Sequence, residues 1–355
     1  MTERALAAEP LAGVRQLPRS AVRTSVTRIA DLSGPGLTVA ALPRDVWGTG
    51  DYVVAEVHEH AGRIYDVESA SGRMVEVIGD DLVVGALGTR SATLEAVGDW
   101  RAVGDDLLLH ALTRAGVLGR STSATPAARN VLVPLHYKGH VHRAGVPARM
   151  LDFVSPVAPR ALDAPVVLVI GTSMSAGKTT TAITTIRRLR RRGLSVAGAK
   201  VTGVARYREI LNMGDAGADP VVDFVDAGLP STICDPEEYE RALAYMLSRL
   251  QAGEPDVVVI EAGASPLEPY NVDVAVARLG QNVRCTILCA SDPYAVVGVA
   301  TAYELRPDLV AGLATSTSAG IALCQRLAGV ECLNLLDPDT HPELDAVLAA
   351  KLAVT

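Results

Sequence analysis

The chain has 355 residues, 49 % of them hydrophobic and 21 % charged, and a formal net charge of −7. That composition supports two domains with buried cores and excludes general disorder. The acidic balance and the lack of a long basic tract exclude a nucleic-acid binder that works by phosphate neutralisation.

Residues 1–24 mix Ala, Pro and Arg without periodicity and read as a loose leader. From 25 to 120 the chain turns to short apolar runs at 37–42, 52–57, 64–67, 74–78, 82–87 and 92–97, separated by Gly, Asp and Ser. Short strands at that spacing predict a mainly-β domain, a small barrel or sandwich. The stretch 107–118, closed by Gly119, reads as a helix. Residues 121–163 read as a connector rich in Ala, Pro and Thr, with one strand-like piece at 131–137. His136, His140 and His142 in that stretch would share one face of a strand, a metal-site pattern that no nearby carboxylate or cysteine reinforces and that reads better as a polar strand edge.

The pattern changes again at 164–355. Apolar runs at 166–170, 195–200, 257–260, 286–289, 309–314 and 332–336 alternate with helical stretches at 179–192, 236–251 and 294–305. Strands apolar on both faces, alternating with helices, predict an α/β fold: a mostly parallel sheet with helices on both faces. The run Arg187–Arg192 closes the first of these helices, where positive charge complements the dipole. All five cysteines lie in this half without a C-x-x-C pair and read as reduced, buried thiols. With no run of 18 apolar residues, the expectation is a cytoplasmic protein without membrane contact.

The chemistry concentrates in the sequence GTSMSAGKTT that follows the first apolar run. Strand, glycine loop and helix start in succession are the context of a phosphate loop. Gly171, Thr172, Ser173, Met174, Ser175, Ala176, Gly177, Lys178, Thr179 and Thr180 are the predicted cradle for a nucleoside triphosphate, ATP with GTP not excluded. Lys178 is the expected point charge on the terminal phosphates, and the Thr179 hydroxyl a ligand of Mg²⁺. Lys200 ends the next apolar run, where a lysine points into the ligand crevice of a parallel sheet. Glu261 ends the run 257–260, the usual place of a metal-binding acid, and hard oxygen ligands suit Mg²⁺. Arg206 and Arg208 follow Lys200, as an anion-binding pair or as helix surface.

Five residues rather than four separate Gly171 from Gly177, and this spacing resembles the loop G-T-D-T-x-x-G-K-T of dethiobiotin synthetase. The likeness extends to the cobyrinic acid diamide synthase and MinD-like branch of P-loop proteins. Residues 196–200, VAGAK, and 261–264, EAGA, are similar to two further segments of that family. The resemblance implies an ATP- and Mg²⁺-dependent ligase- or kinase-like enzyme, in which Lys178, Lys200 and Glu261 are catalytic. It implies Thr179, Asp215 and Glu261 as metal ligands, with Asp219, Asp223 and Asp226 near enough to compete for the place of Asp215. A homodimer and a small carboxylate- or carbamate-type substrate follow from the same likeness. Ser173 stands where the family has an aspartate, and the first 160 residues have no counterpart there. The whole chain looks more like bacterial P-loop proteins that carry an extra N-terminal domain. The alternative is a nucleotide-dependent switch or assembly ATPase of the MinD-like or metallochaperone kind, whose usual loop lysine is here Thr172. A regulator with a degenerate site is a third reading, motivated by Ser173.

Overall fold

A computed structural model describes residues 13–32, 34–58 and 63–352. Among the described residues the first half holds thirteen strands, one short α-helix and four 3-10 turns. The strands are β1 (Arg15–Gln16), β2 (Val22–Arg23), β3 (Leu37–Ala40), β4 (Tyr52–Val57), β5 (Tyr65–Glu68), β6 (Met74–Val77) and β7 (Leu82–Leu87). They continue with β8 (Thr89–Ser91), β9 (Ala96–Asp99), β10 (Leu108–Ala111), β11 (Val117–Ala124), helix α1 (Pro126–Arg129), β12 (Val133–Arg143) and β13 (Val146–Pro147).

β12 pairs with β4, β4 with β7, β7 with β11, β11 with β10, and β10 again with β12. The ring closes, so this half is a barrel, with β1, β2, β3, β8, β9 and β13 as branches and β5 and β6 as a separate two-stranded sheet. Strand alternation assigns its two surfaces. Val53, Ala55, Val57, Val83, Leu87, Leu109, Leu118 and Leu135 fill the barrel. Tyr52, Val54, Val84, Ala86, Val117 and Val141 face outward into a core shared with the second half. Gly85 falls on the inner row, where a Cβ would overlap the Gly116 carbonyl oxygen and press on Leu118. A small barrel leaves no room for one.

Three expectations are corrected here. Part of the expected leader is built into the sheet, because β1 pairs with β3 and β2 with β7, while residues 1–12 lie outside the described residues. The stretch 107–118 is two strands joined by a turn rather than a helix. Leu109 and Ala111 alternate into the barrel, and Gly116 at φ +87° turns the chain. The supposed connector contains β12, eleven residues long, which closes the barrel.

The second half is α/β. Its elements are β14 (Val166–Gly171), α2 (Lys178–Arg191), β15 (Val196–Thr202), α3 (Tyr207–Asp215), β16 (Val221–Asp223), α4 (Pro236–Ala252), β17 (Val257–Ala262) and α5 (Val272–Leu279). They end with β18 (Val283–Cys289), α6 (Pro293–Ala302), β19 (Leu309–Ala311), α7 (Ser318–Ala328), β20 (Glu331–Cys332) and α8 (His341–Leu352). The strands form one parallel sheet in the order β16-β15-β17-β14-β18-β19-β20. Val167, Val169, Val257, Val259 and Ile287 pack on one face with Ile186 and Leu189 of α2 and Leu344 and Leu348 of α8. Val166, Leu168, Ile170, Val258 and Ile260 pack on the other with Leu243 and Met246 of α4 and Val272 of α5. No helix among the described residues is long and apolar enough to cross a membrane.

One barrel residue gives stability a pH dependence. His110 on β10 accepts the Ser121 N–H through Nδ1 at 3.3 Å, and burial, followed by the Arg120 charge, lowers its pKa to about 4. The unfolded chain takes up a proton near the ordinary value of 6.5 and the folded one does not, so stability falls as pH drops from that value towards 4. The urea midpoint of the wild type should therefore fall more between pH 7 and pH 5 than that of His110→Gln. Parallel losses in the two proteins would remove the histidine from this account.

Candidate functional site

β14 delivers the glycine loop at its carboxyl end, beside β17 and β18. Ser175 at φ +62° and Gly177 at φ +102° curl the loop, and α2 starts at Lys178 with no side chain capping its first N–H groups. Those donors and the dipole form an anion cradle. Lys178 is 6 % exposed and folds back along the strand end, where its Nζ donates to the Ser173 carbonyl at 2.7 Å. A Cβ on Gly171 would stand 2.7 Å from Lys178 Cδ, so this glycine makes room for the lysine. Thr172 is fixed by donating its N–H to Cys289 O at 3.0 Å, and its hydroxyl accepts the Ser291 N–H at 3.0 Å. Met174 and Ser175 line the crevice, Ala176 is buried, and Thr180 is exposed on the first turn of α2.

The second cluster lies across the neighbouring strands. Lys200 of β15 is level with Glu261 of β17 on one side and Asp223 of β16 on the other. Lys200 is 6 % exposed and Glu261 2 %. Lys200 Nζ pairs with Glu209 from the first turn of α3 and donates to Val204 O at 3.1 Å. Burial works against the Lys200 ammonium, but Glu209, then Glu261 and Asp223, outweigh it and hold its pKa above the ordinary lysine value. For Glu261, burial and then the Glu209 charge push the carboxyl up, opposed by Lys200, Lys178 and a hydrogen bond from Thr179. Glu261 Oε2 is buried without a hydrogen-bond partner. A hydroxyl, an unsatisfied carboxylate oxygen and a phosphate cradle side by side fit a magnesium–nucleotide pair. Thr179 and Glu261 are the residues that would hold the metal.

Asp215 is not brought to this cluster. It is exposed at the carboxyl end of α3, while Glu209, six residues earlier, reaches the crevice. Asp219 is exposed, and Asp223 and Asp226 are both taken by Arg28 of the barrel half, at 2.5 and 3.1 Å. The histidines do not converge either. The strand is irregular between Tyr137 and Gly139, so His136 meets His58 at 2.9 Å whereas His140 contacts Tyr137 at 2.6 Å and Asp51 at 3.3 Å. His60 lies outside the described residues, among which no group of three potential ligands forms.

Loop and cluster open into one crevice of about 630 Å³ between the two halves. Its opposite wall is made by the barrel: Arg90, Glu95, Thr113 and Arg114, with Arg206 and Glu209 at one end. These barrel residues had no signature in the sequence, since only the closure of the barrel turns them towards the loop. Glu209 had one. It lies in the first turn of a helix that begins just after Arg206, beyond the strand that ends near Lys200. The chain has only four lysines among 33 basic residues, and two of them, Lys178 and Lys200, are buried in this crevice. A compact ammonium serves as a point charge where a planar guanidinium would not fit.

Residues 154–206, spanning β14, the loop, α2 and β15, match the family model described as "Domain of unknown function (DUF1611_C) P-loop domain". The chain thus carries a P-loop domain, as the loop geometry already indicates. It is similar to a crystal structure of a DUF1611 family protein from Anabaena variabilis, at 16 % identity and a TM-score of 0.39, covering 63 % of this chain and 67 % of that one. It is also similar to cell division protein FtsY from Thermotoga maritima, at 19 % identity and a TM-score of 0.34, over 52 % of this chain and 65 % of that one. Likeness to HypB from Helicobacter pylori, solved with nickel, has 13 % identity and a TM-score of 0.34, over 54 % of this chain and 87 % of that one. No curated protein matches the sequence.

Two substitutions check the site. Lys178→Ala should weaken nucleotide binding by roughly 100-fold, the loss expected for an unreplaced charge on phosphate. Gly312, at φ +90°, sits so close that a Cβ would overlap the Ala176 carbonyl oxygen. Gly312→Ala should therefore shift the loop and weaken binding by about tenfold or more through backbone strain, without touching the ligand. Fluorescent-nucleotide titration measures both, and unchanged affinity in Lys178→Ala would move the site elsewhere.

Proposed function

We propose that the protein is an ATP- and magnesium-dependent enzyme that activates or phosphorylates a small carboxylate- or carbamate-type substrate, in the manner of the dethiobiotin synthetase branch. One observation carries this reading: the phosphate loop opens into a crevice that also presents a second buried lysine, Lys200, beside Lys178, with room for a second reactant. A volume of about 630 Å³ is that of a small-molecule site.

Each residue then has a task. The loop N–H groups and Lys178 bind and orient the phosphates, and Thr179 and Glu261 hold the metal. Magnesium, when bound, supplies charge neutralisation on the phosphate oxygens. Lys200, kept charged by Glu209, attracts the acceptor's anionic group and aligns it with the terminal phosphate. Arg206 and Arg114 add positive charge at the crevice wall. Lys178, Lys200 and Glu261 are themselves buried, so their charges act in a medium of lower dielectric than water. Catalysis is by positioning and charge, with no covalent step on the protein.

Purified protein with Mg·ATP should release ADP several-fold faster in the presence of one member of a panel of small carboxylates and amines. Lys200→Ala should lose that stimulated turnover while its nucleotide affinity stays within about twofold, because the lysine serves the second reactant. Stimulation by a protein partner and by no small molecule would replace this reading with the switch or assembly ATPase.

A further inference from the structure

Two charged side chains of the barrel stand over the phosphate loop and have no part in the chemistry above. Arg90 on β8 is only 9 % exposed. Its Nη1 donates to Leu112 O at 2.6 Å, and its Nη2 pairs with Glu95 and reaches Met174 Sδ at 3.8 Å. Its Nε is buried and has no hydrogen-bond partner. The other oxygen of Glu95 accepts a hydrogen bond from the Ser175 hydroxyl at 3.1 Å, so a carboxylate rests on the phosphate loop itself.

The segment that carries Glu95 is fastened to the parallel-sheet half. Ser91 N–H donates to the Tyr270 hydroxyl at 2.9 Å, and Thr93 donates to Glu268 Oε1 through its N–H at 2.8 Å and its hydroxyl at 2.6 Å. Arg90, Glu95, Ser175 and Lys178 all line the same crevice. A carboxylate held there lies beside the place where phosphates would arrive, and like charges repel, although the Glu95 side chain is 36 % exposed and water screens it in part. A guanidinium accepts phosphate as readily as carboxylate, because both match its fork. Exchanging Glu95 for phosphate would remove the repulsion and give the unpartnered Nε–H an acceptor.

Resting on the nucleotide reading of the crevice, we propose that Arg90 and Glu95 form a charge latch over the phosphate loop. In the free protein Glu95 partners Arg90 and Ser175. The phosphates of a bound nucleotide displace Glu95 and take its place on Arg90. Arg90 is then a phosphate-binding residue contributed by the barrel, and the segment between β8 and β9 responds to nucleotide occupancy.

Calorimetric titration of the full chain with magnesium tripolyphosphate, and with Mg·ATP, tests the latch without depending on base recognition or turnover. Glu95→Gln keeps the shape and the acceptor for Ser175 but removes the charge, and it should bind both probes about tenfold more tightly at low salt. That gain should shrink at high salt, where the repulsion is screened. Arg90→Gln should bind about tenfold more weakly, and Arg90→Lys should bind several-fold more weakly because charge without the fork is not equivalent. If Arg90→Gln melts early, Glu95→Gln and Arg90→Lys carry the test. A wild type that binds both probes while those two variants keep its affinity within about twofold overturns the latch. A folded wild type that binds neither probe overturns the nucleotide reading, and the latch with it.

Discussion

The first N–H groups of α3 are received by a carboxylate that belongs to the other half of the molecule. Glu68 of β5 is buried, and its two oxygens accept the backbone N–H groups of Tyr207 at 2.8 Å and Arg208 at 2.9 Å, with the Ser25 hydroxyl completing the set. An acid at a helix N-terminus satisfies orphan donors and meets the positive end of the dipole. Arg28 adds a second tie: it pairs with Asp223 and Asp226 and lies over the Tyr207 ring at 4.5 Å. The position of Glu209, and with it the partner of Lys200, therefore depends on the barrel. Breaking a buried pair of this kind by removing one member costs about 3–5 kcal/mol, because a charge is left uncompensated.

The crevice is consequently a joint product of the two halves. The parallel sheet supplies the phosphate loop, Lys200 and Glu261 from strand ends, where rigid elements hold them. The barrel half supplies the opposite wall from β8 and from the turns that follow β8 and β10. Tyr270 and Glu268, which follow β17, reach back to the barrel segment that faces the loop. Polar contacts between the halves thus cluster around the crevice, while the apolar contacts of the shared core lie behind it.

The parallel-sheet half was legible because its strands are apolar on both faces and its loop motif fixes a local geometry. The apolar runs 166–170 and 257–260 correspond to β14 and β17 within a residue or two, and Lys178, Lys200 and Glu261 do converge. The barrel was legible as β structure, but 107–118 was not. Leu and Ala suit a helix locally, and only closure of the barrel forces Leu109 and Ala111 into alternation. Asp215 comes from the resemblance, as the closest positional match to a metal-binding aspartate of that family. In space α3 runs away from the crevice, so its first turn carries the relevant acid and its last turn faces solvent. Arg90 and Glu95 were out of reach of any local pattern, since their neighbours lie some 80 residues further along.

The outward row of the barrel, Tyr52, Val54, Val84, Ala86, Val117 and Val141, has a consequence for how the chain is made. Synthesis from the N-terminus completes the barrel before the second half that shares this core exists. The ring includes a parallel pair, β7 with β11, and parallel pairing is slow to form because distant segments must meet. A nascent barrel, its outward row covered in part by Val26 and Phe153 of its own half, would thus leave the rest of that apolar surface exposed until the second half arrives, a condition in which chains associate wrongly or recruit chaperones. The same packing that lets one half shape the other's chemistry gives the first half a core that only the second completes.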